Sequence, residues 1–421
     1  MFDSVSDNSA ATVDARRDAN INLPVAIGVA VAVFFAFYFS TSGRHNVFDY
    51  TYRVASAFLH GNPGLTETPP SWLNEFVPAG GKYYSVFPLG AYLVLLPVAL
   101  LKQWHLIDPF PGRVVEALLA AVCAFFFFGL SSIGNSSLVR RVMLTLVPIF
   151  GTWTWCNLGF GGAWQIALGF ALLGEVAALY FTLVKPRPLL AGAFFALAIG
   201  NRTELILTAP IFLYLWLAHD AGNERVSVSA ITEWLRTKWR TLAAFLAIPV
   251  VLALGTGLYN YARFGSMTDF GYARIPRLLN EPWYQHGLFS LHAIPWNIHE
   301  MLFKGMENIY VFPFIRPYPF GCSIFLASPF LFFLFREGGK YKTISWIAIG
   351  VLTFALWCHG NPGGWQFSYR YGMILLPWMF LLLLGNGPLK ASANETALLA
   401  VSVAINGIAT YQFHWTDQIH P

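Results

Sequence analysis

Charged side chains are scarce in this 421-residue chain: Asp, Glu, Lys and Arg make up 11% of it, whereas hydrophobic residues make up 56%. An average soluble domain carries about 25% charged residues. A soluble fold of this length could not cover its surface with so few charges. A chain that faces lipid does not need to, because the bilayer solvates its apolar exterior. The composition therefore excludes an ordinary soluble globular protein and indicates a multi-spanning membrane protein.

Cysteine motifs and concentrated positive charge are also lacking. The four cysteines have no metal-type spacing, and buried free thiols are favoured over a disulfide such as Cys322 with Cys358. The formal net charge is only +5, with Lys and Arg scattered through the loops, which argues against a nucleic-acid-binding surface. The histidines form no ligand pair at helical spacing, and no Asp-x-Asp pair occurs. No metal and no cofactor are therefore expected.

Long apolar runs, in contrast, are abundant. The first, 23–40, is followed by no A-x-A cleavage site and is interpreted as an uncleaved first span. Residues 188–218 are predicted to form two short helices that meet at a polar break around Arg202, because charge at mid-membrane is costly. The predicted fold is all-α, a single transmembrane domain over residues 1–421 with eleven or twelve spans. The other predicted spans are 86–103, 114–132, 139–157, 163–184, 241–259, 318–335, 343–358, 370–386 and 394–412.

The polar segments predict the sidedness of the chain. The basic loops 219–240 and 336–342 are typical of the cytoplasmic side. Residues 1–21 are predicted to be a disordered cytoplasmic tail, and the loops 41–85 and 260–317 to be external. Arg140-Arg141 conflicts with this assignment, because this pair would be external if every predicted span crosses once. Either that pair breaks the rule, or one of spans two to four is only partly inserted.

The first external loop has its own pattern. Residues 46–60 have helical periodicity, with polar side chains such as Asp49 on one face. Such an amphipathic helix lies in the interface plane. The irregular segment that follows returns Glu75 and Lys82-Tyr83 to the mouth of the next span. An ion pair between Asp49 and Arg53, worth roughly a few tenths of a kcal/mol, and a solvated carboxylate at Glu75 are the non-functional interpretations.

Several passages resemble one family of membrane enzymes, the GT-C superfamily of glycosyltransferases that use lipid-linked sugars. This superfamily includes protein O-mannosyltransferases and lipid A aminoarabinose transferases. The resemblance begins with an acidic residue after the first span and runs from about Asp49 to Leu384. The chain lacks the large soluble C-terminal domain of the family and an acidic pair at Asp49. The passages are GKYYSVFPLGAYLVLLPVALL (81–101), GNRTELILTAP (200–210), YNYARFGSMTDFGY (259–272), CSIFLASPFL (322–331) and WQFSYRYGMILLPWMFLLLL (365–384).

The resemblance implies an inverting transferase that moves a sugar from a polyprenyl-phosphate-type donor to a hydroxyl of a glycan, lipid or protein. It implies a bacterial inner membrane with the active site facing the periplasm. Asp49 is then the first candidate for the base that takes the acceptor proton, and Glu75 is second or assisting. Arg202 is the first candidate for stabilising the departing phosphate. The full set of substrate-binding candidates is Lys82, Tyr83, Arg202, Arg263 and Arg370.

Other interpretations stay open at this point. Arg202 can instead pair with Glu204 or Glu175, and Arg263 or Arg370 can extend to lipid headgroups. A transporter or flippase for lipids or sugars is the main rival function, although such proteins more often show broken helices in two related halves. Only 188–218 is broken in this way. A non-catalytic envelope assembly protein is the third class, in which the loop carboxylates would be dispensable.

Overall fold

Helices dominate the computed structural model of the protein, which describes residues 22–41, 48–221 and 228–419. The predicted tail 1–21 lies outside these residues. The all-α prediction is confirmed, because strands in the described part are confined to two short hairpins. Five described helices are long and apolar enough to cross a membrane, and five shorter ones are also apolar. The chain is therefore an integral membrane protein built of helices.

The first half of the chain contains the helices α1 to α8 and one antiparallel hairpin. Their bounds are α1 Leu23–Ser40, α2 Tyr50–Leu59, β1 Val77–Ala79, β2 Lys82–Tyr84, α3 Leu89–Leu93, α4 Leu96–Gln103, α5 Gly112–Leu130, α6 Leu138–Phe150, α7 Thr154–Leu158 and α8 Ala163–Leu183. Residues 46 and 47 of the predicted interfacial helix 46–60 lie outside the described residues, and α2 forms its helical part, which begins after Asp49.

The second half contains α9 to α16 and a second hairpin. Their bounds are α9 Pro188–Asn201, α10 Ala209–Ala221, α11 Val228–Phe264, α12 Ile294–Ile298, β3 Glu307–Asn308, β4 Ile315–Arg316, α13 Ile324–Ala327, α14 Lys342–Cys358, α15 Leu376–Gly385 and α16 Ala393–Trp415. In the basic segment predicted as the loop 219–240, residues 222–227 lie outside the described residues, and 228–240 are the start of α11 because they contain no Pro or Gly to stop the helix.

Two predicted spans are interrupted helices. The predicted break in 188–218 agrees with the structure: α9 ends at Asn201, Arg202 is extended, and a 3₁₀ segment Thr203–Thr208 leads into α10. The prediction of a continuous helix over 318–335 is wrong. Its regular part is only α13 and a 3₁₀ segment, because Ser328 is extended and Pro329 cannot continue the helix before it.

The termini of the helices lie at two opposite ends of the bundle. α1 ends at Ser40, whose carbonyl oxygen accepts a hydrogen bond of 2.6 Å from the indole of Trp415 at the end of α16. α5 begins beside the same end of α1, where Arg113 donates a hydrogen bond to the carbonyl oxygen of Tyr38. We call this the loop end, since the polar segments 48–88, 265–323 and 359–369 lie here.

The predicted span 86–103 does not cross the bundle. α3 and α4 together run only from Leu89 to Gln103, and a helix of that length extends about 22 Å, against about 30 Å for the hydrocarbon core. Because α1 ends and α5 begins at the loop end, the chain between them enters and leaves at that end. The prediction of a full span here is wrong, which lowers the predicted count of eleven or twelve spans by one.

Arg140 lies at the opposite end of the bundle. Its Nη2 is 3.0 Å from Oε1 of Glu395, and Nη1 of Arg336 is 2.8 Å from the same oxygen. Glu395 lies in the first turn of α16, the helix whose last turn is at the loop end. Arg140-Arg141 therefore lies with the segment 336–342 that is predicted to be cytoplasmic. Partial insertion of 86–103 resolves the conflict in the charge pattern.

Small residues let the helices α8, α9 and α11 approach one another closely. A Cβ on Gly174 of α8 would lie 2.5 Å from the backbone nitrogen of Ala198 in α9, and a Cβ on Gly192 of α9 would overlap the carbonyl oxygen of Phe245 in α11. Close backbone contact at small residues is the usual way in which helices associate in membranes. The two glycines therefore hold α8, α9 and α11 together.

Replacing Gly192 by Ala is expected to destabilise the protein by about 1–3 kcal/mol, because the new methyl group forces α9 and α11 apart. Gly28→Ala in α1 is the matched control, since a Cβ there meets no atom within 4 Å. Thermal denaturation in detergent, followed by circular dichroism, measures both variants. Equal midpoints for the two variants would contradict the close packing of α9 on α11.

Candidate functional site

The segments at the loop end are tied to one another by short backbone pairings. Leu65 pairs with Tyr83 next to the β1–β2 hairpin, Phe289 pairs with His359, and Phe320 pairs with Gln366. These contacts join residues that are up to 70 positions apart in the sequence. They bring polar side chains from several loops over the ends of α8, α9 and α14.

Two adjoining cavities lie beneath these segments. The first has a volume of about 650 Å³ and contains Glu75 and Arg370 in its lining; we call it the Glu75 chamber. The second has a volume of about 460 Å³ and contains Arg202; we call it the Arg202 chamber. Both volumes lie within the range of about 300–1,000 Å³ that is typical of ligand sites. The chambers share three aromatic residues, Trp164, Tyr272 and Tyr371.

Two carboxylates line the first chamber, Glu75 and the exposed Asp417; Glu75 is the one that faces its interior beside Trp164. It is half-buried, and its Oε2 accepts a hydrogen bond of 3.0 Å from Nε1 of Trp164 in the first turn of α8. Burial raises the pKa of Glu75 to about 7, although the hydrogen bond from Trp164 and the positive charge of Arg370 act in the opposite direction. Such a carboxylate can exchange a proton near neutral pH, as a general base must.

Arg370 is a buried cation, only 6% exposed, at the start of the 3₁₀ segment that precedes α15. Its Nη1 donates to the carbonyl oxygen of Trp365 at 3.3 Å. Its guanidinium carbon lies 5.2 Å from the centre of the Tyr371 ring. Among the residues that the structure describes, no carboxylate forms an ion pair with Arg370, and its buried Nε has no hydrogen-bond partner. A buried guanidinium in this state can receive an anion.

Arg202 approaches Tyr371 from the second chamber. Its guanidinium carbon lies 4.8 Å from the centre of that ring, and its Nε donates to Oε1 of Glu204 at 2.8 Å. The local pairing of Arg202 with Glu204 is therefore present. Two guanidinium groups thus contact one tyrosine ring, and only one of them has a carboxylate within ion-pairing distance. Arg370 is therefore the guanidinium at the junction of the chambers that lacks an ion pair with a described carboxylate.

His359 also faces the Arg202 chamber. Its Nδ1 lies 2.7 Å from the carbonyl oxygen of Asn361. Burial lowers the pKa of His359, and the charges of Arg202 and Arg370 lower it further. The imidazole is therefore neutral at physiological pH. It adds a hydrogen-bonding group to the site without adding a charge.

Asp49 lies apart from both chambers. Its Oδ1 accepts from Nε of Arg53 at 2.7 Å, the i,i+4 ion pair that is the simplest interpretation of the sequence. Together with His60 and Lys102 it faces a separate polar cavity of about 440 Å³. The structure therefore brings Glu75 to Arg370 and near Arg202, but does not bring Asp49 to them.

Lys82 and Tyr83, two of the remaining candidates, form hydrogen bonds between segments of the loop end. Lys82 donates to Oδ1 of Asn62 at 3.4 Å. The hydroxyl of Tyr83 lies 3.2 Å from that of Thr68, so the β1–β2 hairpin is tied to the segment before it. Neither Lys82 nor Tyr83 lines the two chambers.

Arg263 fastens the end of α11 to the same region. It is buried, donates to the carbonyl oxygen of Ser85, and lies with its guanidinium carbon 4.1 Å from the ring centre of Tyr259. It lines neither chamber. Within the bundle, Glu175 accepts a hydrogen bond of 2.6 Å from the indole of Trp378, so Glu175 is not the partner of Arg202.

Sequence reasoning missed the three aromatic residues that the chambers share. Trp164 holds the Glu75 carboxylate, and Tyr371 lies between the two arginines. Tyr371 follows Arg370 directly in the sequence SYRYG, which was the available signal for it. Trp164 had no comparable signal, because its contact with Glu75 spans 89 positions.

No group of three or more His, Cys, Asp or Glu side chains in the described part of the chain could hold a metal ion. All four cysteines are free thiols, and three of them are buried. No protein-family model matches the chain, and no curated protein or solved structure matches it.

Proposed function

We propose that this protein is a GT-C-type glycosyltransferase, which moves a sugar from a polyprenyl-phosphate-type donor to a hydroxyl acceptor at the loop end. One observation carries the proposal. Glu75, with a pKa of about 7, faces the same chamber as Arg370, a buried cation whose Nε has no partner among the described residues. A proton acceptor and an anion-binding group in one cavity are the two parts that such a transfer requires.

The proposed reaction uses Glu75 as the base. The carboxylate takes the proton of the acceptor hydroxyl as its oxygen attacks the anomeric carbon of the donor. The bond from that carbon to the phosphate oxygen breaks, and the electron pair remains on the phosphate. Arg370, with Arg202 beyond the Tyr371 ring, stabilises this negative charge. Attack from the face opposite the phosphate inverts the anomeric configuration.

The Arg202 chamber supports a lipid-linked donor. Its lining includes Ile206, Leu207 and Phe289, which are 54%, 43% and 68% exposed. Exposed apolar side chains on a membrane protein face lipid, which solvates them. A polyprenyl chain can therefore leave this chamber sideways, with its phosphate at the junction of the two arginines. A bacterial inner membrane with a periplasmic site is part of this proposal.

The pH dependence of the transfer tests the role of Glu75. Only the carboxylate form accepts a proton, so the rate is expected to fall about tenfold per pH unit below a pKa of about 7 and to level off above it. The measurement uses purified protein in nanodiscs with undecaprenyl-phosphate-linked hexoses and pentoses that are radiolabelled in the sugar. It scores the label that leaves the lipid, whether to an acceptor or to water. A rate that is flat from pH 5.5 to 8 would contradict the assignment.

A further inference from the structure

The part of the Glu75 chamber that is not shared with the Arg202 chamber has a distinct lining of aromatic rings and amide side chains. Trp72 and Trp365 provide indole rings, and Asn74, Gln165 and Asn361 provide amides. Ile419 is the one aliphatic side chain of any size in the lining. The chemistry of this chamber therefore differs from that of the Arg202 chamber, whose lining includes several exposed apolar side chains.

Gln165 marks a position for a polar ligand. Its side chain is only 4% exposed, and its Oε1 has no hydrogen-bond partner among the described residues. The large majority of buried polar groups in folded proteins are hydrogen-bonded. Gln165 lies one residue after Trp164, which holds Glu75, and it lines the same chamber. A ligand hydroxyl in the chamber can therefore donate to this amide oxygen.

Trp72 provides an open aromatic surface. It is 45% exposed, and its ring has no aromatic partner among the described residues, whereas Trp365 is held edge-on against Phe413 with ring centres 5.2 Å apart. Rigid aromatic faces beside amide groups suit a ligand that has apolar C–H faces and a rim of hydroxyl groups. Sugar rings have this composition. A cavity of about 650 Å³ can hold a few of them.

We propose that the acceptor is a saccharide, whose terminal sugar binds in the Glu75 chamber and presents a hydroxyl to Glu75. This inference rests on the proposed transferase function. An aliphatic lining would favour a lipid acceptor, but Ile419 is the one large aliphatic side chain in this chamber. A peptide acceptor that binds in extended form would use an open strand edge, but no residue of β1 or β2 lines the chamber.

Binding of saccharides tests this inference without catalysis. Wild-type protein in nanodiscs is titrated with linear tri- and tetrasaccharides of mannose, glucose, galactose and arabinose by isothermal calorimetry. At least one series is expected to bind, and Trp72→Ala is expected to weaken that binding about tenfold. Gln165→Leu, which removes the free amide oxygen, is expected to weaken it as well. Trp104→Ala is the matched control, since Trp104 is 63% exposed and lines neither chamber.

The outcomes separate this inference from the function on which it rests. Release of sugar from the donor to water by the wild-type protein, with no acceptor present, tests the transferase function alone. If donor turnover occurs but no saccharide binds at millimolar concentration, or if Trp72→Ala binds as the wild type does, the saccharide inference is overturned and the function stands. Transfer that occurs only to serine-rich peptides or to lipid hydroxyls would also overturn it.

Discussion

Replacing Glu75 by Gln is expected to lower sugar transfer by about 10²–10⁴-fold, the usual contribution of a general base. The amide is close to the carboxylate in shape, and its oxygen can still accept the hydrogen bond from Trp164. The loss is therefore expected in the rate and not in the fold. Transfer from labelled undecaprenyl-phosphate sugars in nanodiscs measures the rate, and thermal denaturation checks the stability.

Asp49→Asn is the matched control for this experiment. Asp49 is another carboxylate of the first loop, but it pairs with Arg53 and faces a separate cavity. This variant is expected to retain most of the transfer activity, although sequence order alone favours Asp49 as the base. Loss of transfer in Asp49→Asn with full transfer in Glu75→Gln would reverse the assignment. Full activity in both variants would favour a transporter or an assembly protein.

Replacing Arg370 by Gln is expected to lower transfer by about 10²–10³-fold, because the departing phosphate loses a preorganised cation. A second effect gives the experiment a specific readout. The charge of Arg370 lowers the pKa of Glu75, so its removal raises that pKa. The fall in rate at low pH is therefore expected to begin at a higher pH in the variant. An unchanged pH profile of the residual activity would contradict either the closeness of Arg370 to Glu75 or the role of Glu75 as the base.

Arg53→Gln is the control for the loss of a loop-end arginine. Arg53 is 37% exposed at its side chain and pairs with Asp49 outside the two chambers. Its replacement is expected to leave both the rate and the pH profile close to those of the wild type. Equal losses in Arg53→Gln and Arg370→Gln would indicate a general effect of positive charge at the loop end, and would contradict a phosphate site at Arg370.

The two arginines of the site differ in their ion-pair partners. Arg202 has Glu204 as a partner, whereas Arg370 has no ion pair with any described carboxylate. The cost of burying a charge falls when a counter-charge is near, so Arg202 is already balanced when the site is empty. Arg370 is the group that gains most from an incoming phosphate. Replacement of Arg370 is therefore expected to lower transfer more than replacement of Arg202.

Composition and hydropathy by themselves determined the environment of this protein and most of its helices. An 11% content of charged residues cannot cover a soluble surface, and long apolar runs must satisfy their backbone hydrogen bonds as helices. The polar break at Arg202 and the amphipathic helix after Asp49 were also predictable from local pattern. Helical periodicity involves residues within one or two turns of one another, and so does a charge that interrupts an apolar run. Both signals can therefore be recognised in the sequence.

Tertiary structure alone decided which polar side chains meet. Glu75 and Asp49 are both carboxylates in one loop, yet only Glu75 contacts Trp164, 89 positions away, and faces Arg370. The direction of a side chain in an irregular segment depends on such distant contacts, which no local pattern encodes. The partial insertion of 86–103 also depends on a distant contact. The end of α1 lies beside the start of α5, so the chain between these helices enters and leaves at the same end of the bundle.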